Sequence, residues 1–131
     1  MVDVLKKQLD CSYEKGVERV RDAVSEDFSI LMEKSISDVV KRSLGLDEYP
    51  LKYTTILACG ADLARSALDV SVDVGTLMPC SFVVYEKDGE VYAGHVSIMK
   101  IAGETGMADR EEMKPVIEKT GKRVKKVWER I

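Results

Sequence analysis

Cys80-Ser81-Phe82-Val83-Val84-Tyr85-Glu86-Lys87-Asp88-Gly89-Glu90-Val91-Tyr92 is the stretch that decides the fold. An apolar, β-branched and aromatic run meets Asp-Gly and is followed by a second such run. Asp-Gly fits the two-residue turn whose twist matches that of the flanking strands, so the stretch reads as a tight hairpin. Its first strand covers about 80–86 and the returning strand runs to about Ile101, where Gly103 and Gly106 break it. Upstream, Lys52 to Cys59 is β-branched and largely apolar and reads as another strand.

Helical and extended periods alternate on either side. Val2 and Val4 alternate with polar neighbours, which predicts a first strand over roughly 2–9. Ser12 suits the cap of a helix over 13–25, and Val17, Val20, Val24 and Phe28 recur at helical spacing. Gly16 within it costs about 1 kcal/mol relative to Ala. A second strand follows at Phe28–Glu33. Ser37 offers a cap for a short helix that Gly45 ends in a left-handed conformation. Asp62 to Val70 reads as a third helix, capped by Asp62, and Val74-Gly75-Thr76 as a loop. Residues 107–131 form a C-terminal amphipathic segment, with Pro115 expected at the first helical position. Its apolar face is Met113, Val116 or Ile117, Thr120, Val124, Val127 or Trp128, and Ile131. The order is strand-helix-strand-helix-strand-helix-strand-strand-helix. That is an α+β layout, a mostly antiparallel sheet covered by helices on one face.

The 131 residues favour one domain, with 45% hydrophobic and 33% charged residues. A net charge of −3 argues against a general phosphate-backbone binder, so nucleic acid is not expected as a partner. No apolar run approaches the ~20 residues of a membrane span, and Met1 to Lys7 lacks the layout of a signal peptide. The expected location is the cytoplasm, where three cysteines would stay reduced.

From Tyr53 to Gly89 the chain resembles the "domain of unknown function 302" family. The resemblance is carried by Ile56-Leu57-Ala58-Cys59, Ala61-Asp62-Leu63-Ala64-Arg65-Ser66-Ala67-Leu68, Met78-Pro79-Cys80 and Tyr85-Glu86-Lys87-Asp88-Gly89. It extends over about residues 1–100. The chain departs from it at Gly60-Ala61, where the family usually has Asn-Pro. The resemblance implies an α+β domain similar in outline to half of a TATA-box-binding protein, and a homodimer. It implies no activity, and shared architecture does not transfer function.

Cys59 and Cys80 are the candidate catalytic pair. One closes a strand just before a helix and the other opens a strand. A thiolate at a helix N-terminus is activated, which suits thiol chemistry or the binding of a small ligand between them. Free cysteine is also a common core residue. No CxxC or Cys/His cluster is present, so no metal is expected and the sequence names no cofactor. Cys11 precedes a helix cap and is read as incidental. His95, the only histidine, is a ligand-binding candidate if it faces Cys80; a solvent-facing position is the commoner alternative. Asp62, Asp69 and Asp73 match no cation loop. Lys119, Lys122, Arg123, Lys126 and Arg130 form a basic stripe at helical spacing. That stripe, with Val124 and Trp128 at a dimer contact, supports the alternative function of a non-catalytic homodimeric interaction module. Whether the chain is an enzyme is left open by the sequence.

Overall fold

The structure, a computed structural model, describes residues 4–131. The expected contribution of Val2 to the first strand lies outside the described residues. The chain forms strand β1 (Leu5–Leu9), helix α1 (Tyr13–Ser25), β2 (Ser29–Ser35), α2 (Ile36–Leu44), β3 (Lys52–Cys59) and α3 (Ala61–Val70). A short 3-10 segment (Val72–Leu77) leads to β4 (Cys80–Lys87), β5 (Glu90–His95), α4 (Ile98–Glu104) and α5 (Arg110–Arg130). The strands make one five-stranded sheet in the order β1-β5-β4-β3-β2, and every pairing is antiparallel.

Asp88 and Gly89 turn the β4–β5 hairpin with φ of 54° and 80°. Two consecutive positive φ values define the hairpin turn that Asp-Gly favours. The register places Val84 opposite Ala93 and Phe82 opposite His95. Because side chains alternate across a strand, Thr54, Ile56 and Ala58 share one face with Phe82, Val84, Val91 and Ala93. All seven are buried beneath the helices. The opposite face carries Tyr53, Tyr85 and Tyr92, stacked in sequence across three strands at centroid distances of 5.6 and 5.3 Å.

Two apolar clusters fill the space under the helices. One joins α1 and the end of α5 to the sheet through Val20, Val24, Phe28, Phe82, Val124 and Val127. The other joins α3, α4 and the start of α5 through Ala67, Met99, Ala102, Met113 and Val116. Each fully buried aliphatic or aromatic side chain contributes roughly 1.5–3 kcal/mol. Gly16 lets α1 lie close on the sheet, since a Cβ there would meet Val91 at 3.1 Å, Val84 at 3.2 Å and Leu9 at 3.3 Å. Its helix cost is therefore offset by close packing.

The structure corrects several expected details. The returning strand stops at His95, and Ile98–Glu104 is a helix. Ser97 caps it, accepting the Lys100 N–H at 3.2 Å, and Ile98, Met99 and Ala102 turn inward at helical spacing. The expected loop at 74–76 lies within the 3-10 segment. Helix α5 begins at Arg110 rather than at Pro115, which sits inside it. Asp109 is the cap, accepting the Glu112 N–H at 2.9 Å. Ser35 caps α2, accepting from the Asp38 N–H at 3.3 Å. Ser37 is instead buried and accepts the Tyr53 N–H at 3.0 Å, tying α2 to β3.

Candidate functional site

Cys59 and Cys80 do line one cavity, at the place where β3 ends and β4 begins. Cys80 follows the cis Met78–Pro79 bond and faces the covered side of the sheet with Phe82. Phe28, Met78, Met99 and Thr120 close the cavity to about 10 Å³. That is the threshold for a single water and leaves no room for a substrate. Burial, reinforced by the neighbouring Cys59, pushes the Cys80 thiol up to about 11. At neutral pH Cys80 is thus a protonated, core-packed thiol, and all three cysteines are free. A protonated thiol is a poor nucleophile, so of the two the candidate nucleophile is Cys59, which is half-buried and also borders an open space of about 290 Å³ with Gly60, Asp62 and Arg123.

His95 is buried at 4% exposure, so it is not the solvent-facing residue that was the commoner alternative. Its ring stacks on Phe82 at 4.3 Å between centroids. Nδ1 lies 2.8 Å from the Ser81 carbonyl oxygen. A carbonyl only accepts, so Nδ1 carries the hydrogen. Burial lowers the pKa of the ring, with the Ser81 bond opposing. The neutral tautomer leaves Nε2 as a bare acceptor, and it has no hydrogen-bond partner among the described residues.

Thr120 is the second such residue. It belongs to the apolar face of α5, is 2% exposed, and its Oγ1 is also unpartnered. Leaving a buried polar atom unpaired costs about 1–3 kcal/mol. His95 and Thr120 line a second cavity of about 460 Å³ with Leu5, Val124 and Trp128. Its size falls within the range of small-molecule sites. The half-buried Lys100 and the exposed Lys125 also border it. Neither lysine has an ion-pair partner among the described residues. Gly121 opens the helix wall there, since a Cβ on it would meet nothing within 4 Å.

The basic stripe of α5 is largely used within the fold. Arg123 donates to both oxygens of Asp62 at 2.8 Å, and Lys119 lies 3.0 Å from the same carboxylate. Asp62 is thus not the cap of α3; Gly60 occupies that position with no side-chain bond. Gly60 also makes room for Arg123, whose Nη1 would lie 2.9 Å from any Cβ placed there. Arg130 pairs with Asp27 and, at 2.6 Å, with Glu26. Val124 is 5% exposed in the first apolar cluster, so its side chain is spent on the core and not on a contact surface. Trp128 is half-buried against the same cluster. Among the described residues no group of three or more His, Cys, Asp or Glu converges to hold a metal ion. Likewise, no helix among them is long and apolar enough to cross a membrane.

Sequence reasoning singled out His95 but did not foresee the cavity. Thr120 was visible as a polar residue at an apolar position of an amphipathic helix, and such a residue needs a reason. Lys100 could not be placed while its segment read as strand.

A five-stranded antiparallel sheet backed by helices, with a cavity beneath the last one, defines a small α+β domain. The chain belongs to the "Domain of unknown function DUF302" family, whose profile matches residues 5–131. No curated protein matches the chain. A solved structure with the same fold is "uncharacterized conserved protein DUF302 from Bacillus stearothermophilus". Its TM-score is 0.82 at 20% identity, covering 97% of this chain and 96% of that one.

Proposed function

We propose that the chain is a small-ligand-binding domain, with its site in the cavity bounded by the end of β5, the start of α4 and the middle of α5. One observation carries this reading. The space there is about 460 Å³, has apolar walls of Leu5, Val124 and Trp128, and is bordered by Lys100 and Lys125, which have no ion-pair partner among the described residues. Apolar walls with a few polar groups at the border are the usual make-up of a small-molecule site. The space enclosed between Cys59 and Cys80, at about 10 Å³, is too small for such a molecule. Thr120 borders both spaces.

Native mass spectrometry of protein taken from its own cells tests the reading. The expected result is a co-purifying small molecule that is lost from Gly121→Phe, in which the ring fills the cavity. Retention of the same molecule by Gly121→Phe would place it elsewhere and defeat the reading.

A second reading, assembly as a homodimer, is favoured by the uncovered sheet face, where Leu57 and Val83 are only half-buried beside the stacked tyrosines. Light scattering decides it. Val83→Arg should halve the mass of a dimer built on this face, and a monomeric wild type rules it out.

A further inference from the structure

The geometry points to a further site at the other rim of the sheet: a soft monovalent metal ion, Cu(I), held by sulfur among Cys59, Cys80, Met78 and Met99. All four side chains border the same small space, where β3 ends and β4 begins. Two of them carry thiols and two carry thioethers.

They come to it from different parts of the fold. Ala58 lies opposite Cys80 in the β3–β4 register, so Cys59 stands one residue past that pairing. Met78 follows the 3-10 segment, and Met99 belongs to the first turn of α4. No spacing rule links such residues, which is why the absence of CxxC in the sequence does not bear on this site. At about 10 Å³, the space between them suits one ion and no organic molecule. Walls this close set the four residues around one point. Cys59 also contributes to the upward shift of the Cys80 thiol, so the two thiols lie within electrostatic reach of each other. A methionine side chain is unbranched and turns about three bonds. Each thioether can therefore be aimed at the shared point without moving the backbone.

The donor set selects the metal. Thiolate and thioether are soft donors and suit Cu(I), whereas carboxylate, carbonyl and water suit hard cations. Among the described residues no histidine or carboxylate lines the space. Zinc takes four donors drawn from thiolate, imidazole and carboxylate, and this space offers two. Binding involves no electron transfer: the ion enters as Cu(I) and stays so. Each coordinating thiol gives its proton to solvent, because metal ligands bind deprotonated. Two thiolates and one monovalent ion leave a single negative charge. Cys59 also borders the open space of about 290 Å³, which keeps that charge at the rim.

The test titrates the full, reduced, metal-free chain with Cu(I) under ascorbate, with bicinchoninate as competing chelator. The expected result is one Cu(I) per chain, with sulfur alone around the copper in its X-ray absorption spectrum. Losing even a hydrogen-bond partner of a metal ligand costs a site roughly 10- to 100-fold in affinity. Cys59→Ser or Cys80→Ser, which remove ligands, should therefore cost about 100-fold or more. Cys80→Ser also alters a buried position, so a second variant separates binding from folding. Met78→Leu/Met99→Leu keeps size and apolarity and removes only the thioethers. It should weaken Cu(I) by about tenfold or more while leaving the unfolding midpoint nearly unchanged. Cys11→Ser, whose residue does not line this space, should change nothing.

Copper that follows Cys11, or an affinity indifferent to Cys59 and Cys80, marks adventitious thiol binding and overturns the site. An affinity untouched by Met78→Leu/Met99→Leu overturns the role of the thioethers, as does nitrogen or oxygen beside the copper. Zn(II) that displaces Cu(I) at equal concentration overturns the choice of metal.

Discussion

Arg123 grips Asp62 with both terminal guanidinium nitrogens at 2.8 Å, although 61 positions separate them in the chain. The pair locks the first turn of α3 to the middle of α5. First the Arg123 bonds, then those of Lys119, hold the Asp62 carboxyl well below the usual carboxylate range.

A depressed carboxylate contributes stability above its unfolded pKa of about 3.9 and loses it as the pH falls below that value. Half of the Asp62 side chain is exposed, so screening limits the contribution to about 1 kcal/mol or less. Asp62→Asn should lower stability by that amount at pH 7, and the difference should start to shrink as the pH falls below about 4 and shrink in high salt. Urea unfolding at several pH values checks it. A gap that persists in acid would show that the loss is not ionic.

Cys80 gives the opposite trend. Its thiol is pushed up to about 11 by burial, from an ordinary 9.0. The unfolded chain therefore releases this proton first, and stability should fall as the pH rises from 9 towards 11, by on the order of 2 kcal/mol. Cys80→Ala should flatten that decline while leaving a small packing loss. Iodoacetamide labelling at pH 8 should spare Cys80 until the protein is unfolded. Rapid native labelling of Cys80 would restore the case for a reactive thiol there.

His95 is held neutral by burial. Above about pH 6.5 both folded and unfolded forms are uncharged; below it the unfolded chain takes up a proton that the folded ring resists. Stability should thus decline as the pH falls from 6.5, and His95→Phe should remove that part of the slope. The ring's NMR titration reads the cause directly. A midpoint at or above 6.5 would contradict it.

Gly16 tests the contact between α1 and the sheet. Gly16→Ala should gain up to about 1 kcal/mol of helix propensity but must push Val91, Val84 and Leu9 back from 3.1–3.3 Å. Gly16→Val adds two methyls and should destabilise by roughly 1–3 kcal/mol. Thermal unfolding that ranks Val above Gly would mean that α1 can move away without cost.

The hairpin was legible because Asp88 and Gly89 are the residues its backbone requires, and the helix ending at Gly45 was legible for the same reason. The α+β class and the strand–helix order follow from such local signals. Ile98–Glu104 was not legible: Val96, Ile98 and Ile101 also suit a strand, and only packing against α5 makes the helical choice win. Asp62 looked like a cap because a cap needs only near neighbours, whereas its partner Arg123 comes from a distant helix. The cavity escaped notice for a related reason. Leu5, His95, Lys100 and Thr120 come from four separate segments, and no spacing rule links them.

Lys7 donates to the main-chain carbonyl of Trp128 at 3.0 Å, joining the edge strand β1 to the last turns of α5. Among the described residues the strand beside β1 is β5, made late in synthesis. In a polypeptide growing from its amino end, Leu5–Leu9 is therefore made before the other strands of this sheet and waits longest for its partner. Until Glu90–His95 has been made, that segment has an unfilled backbone ladder on both sides.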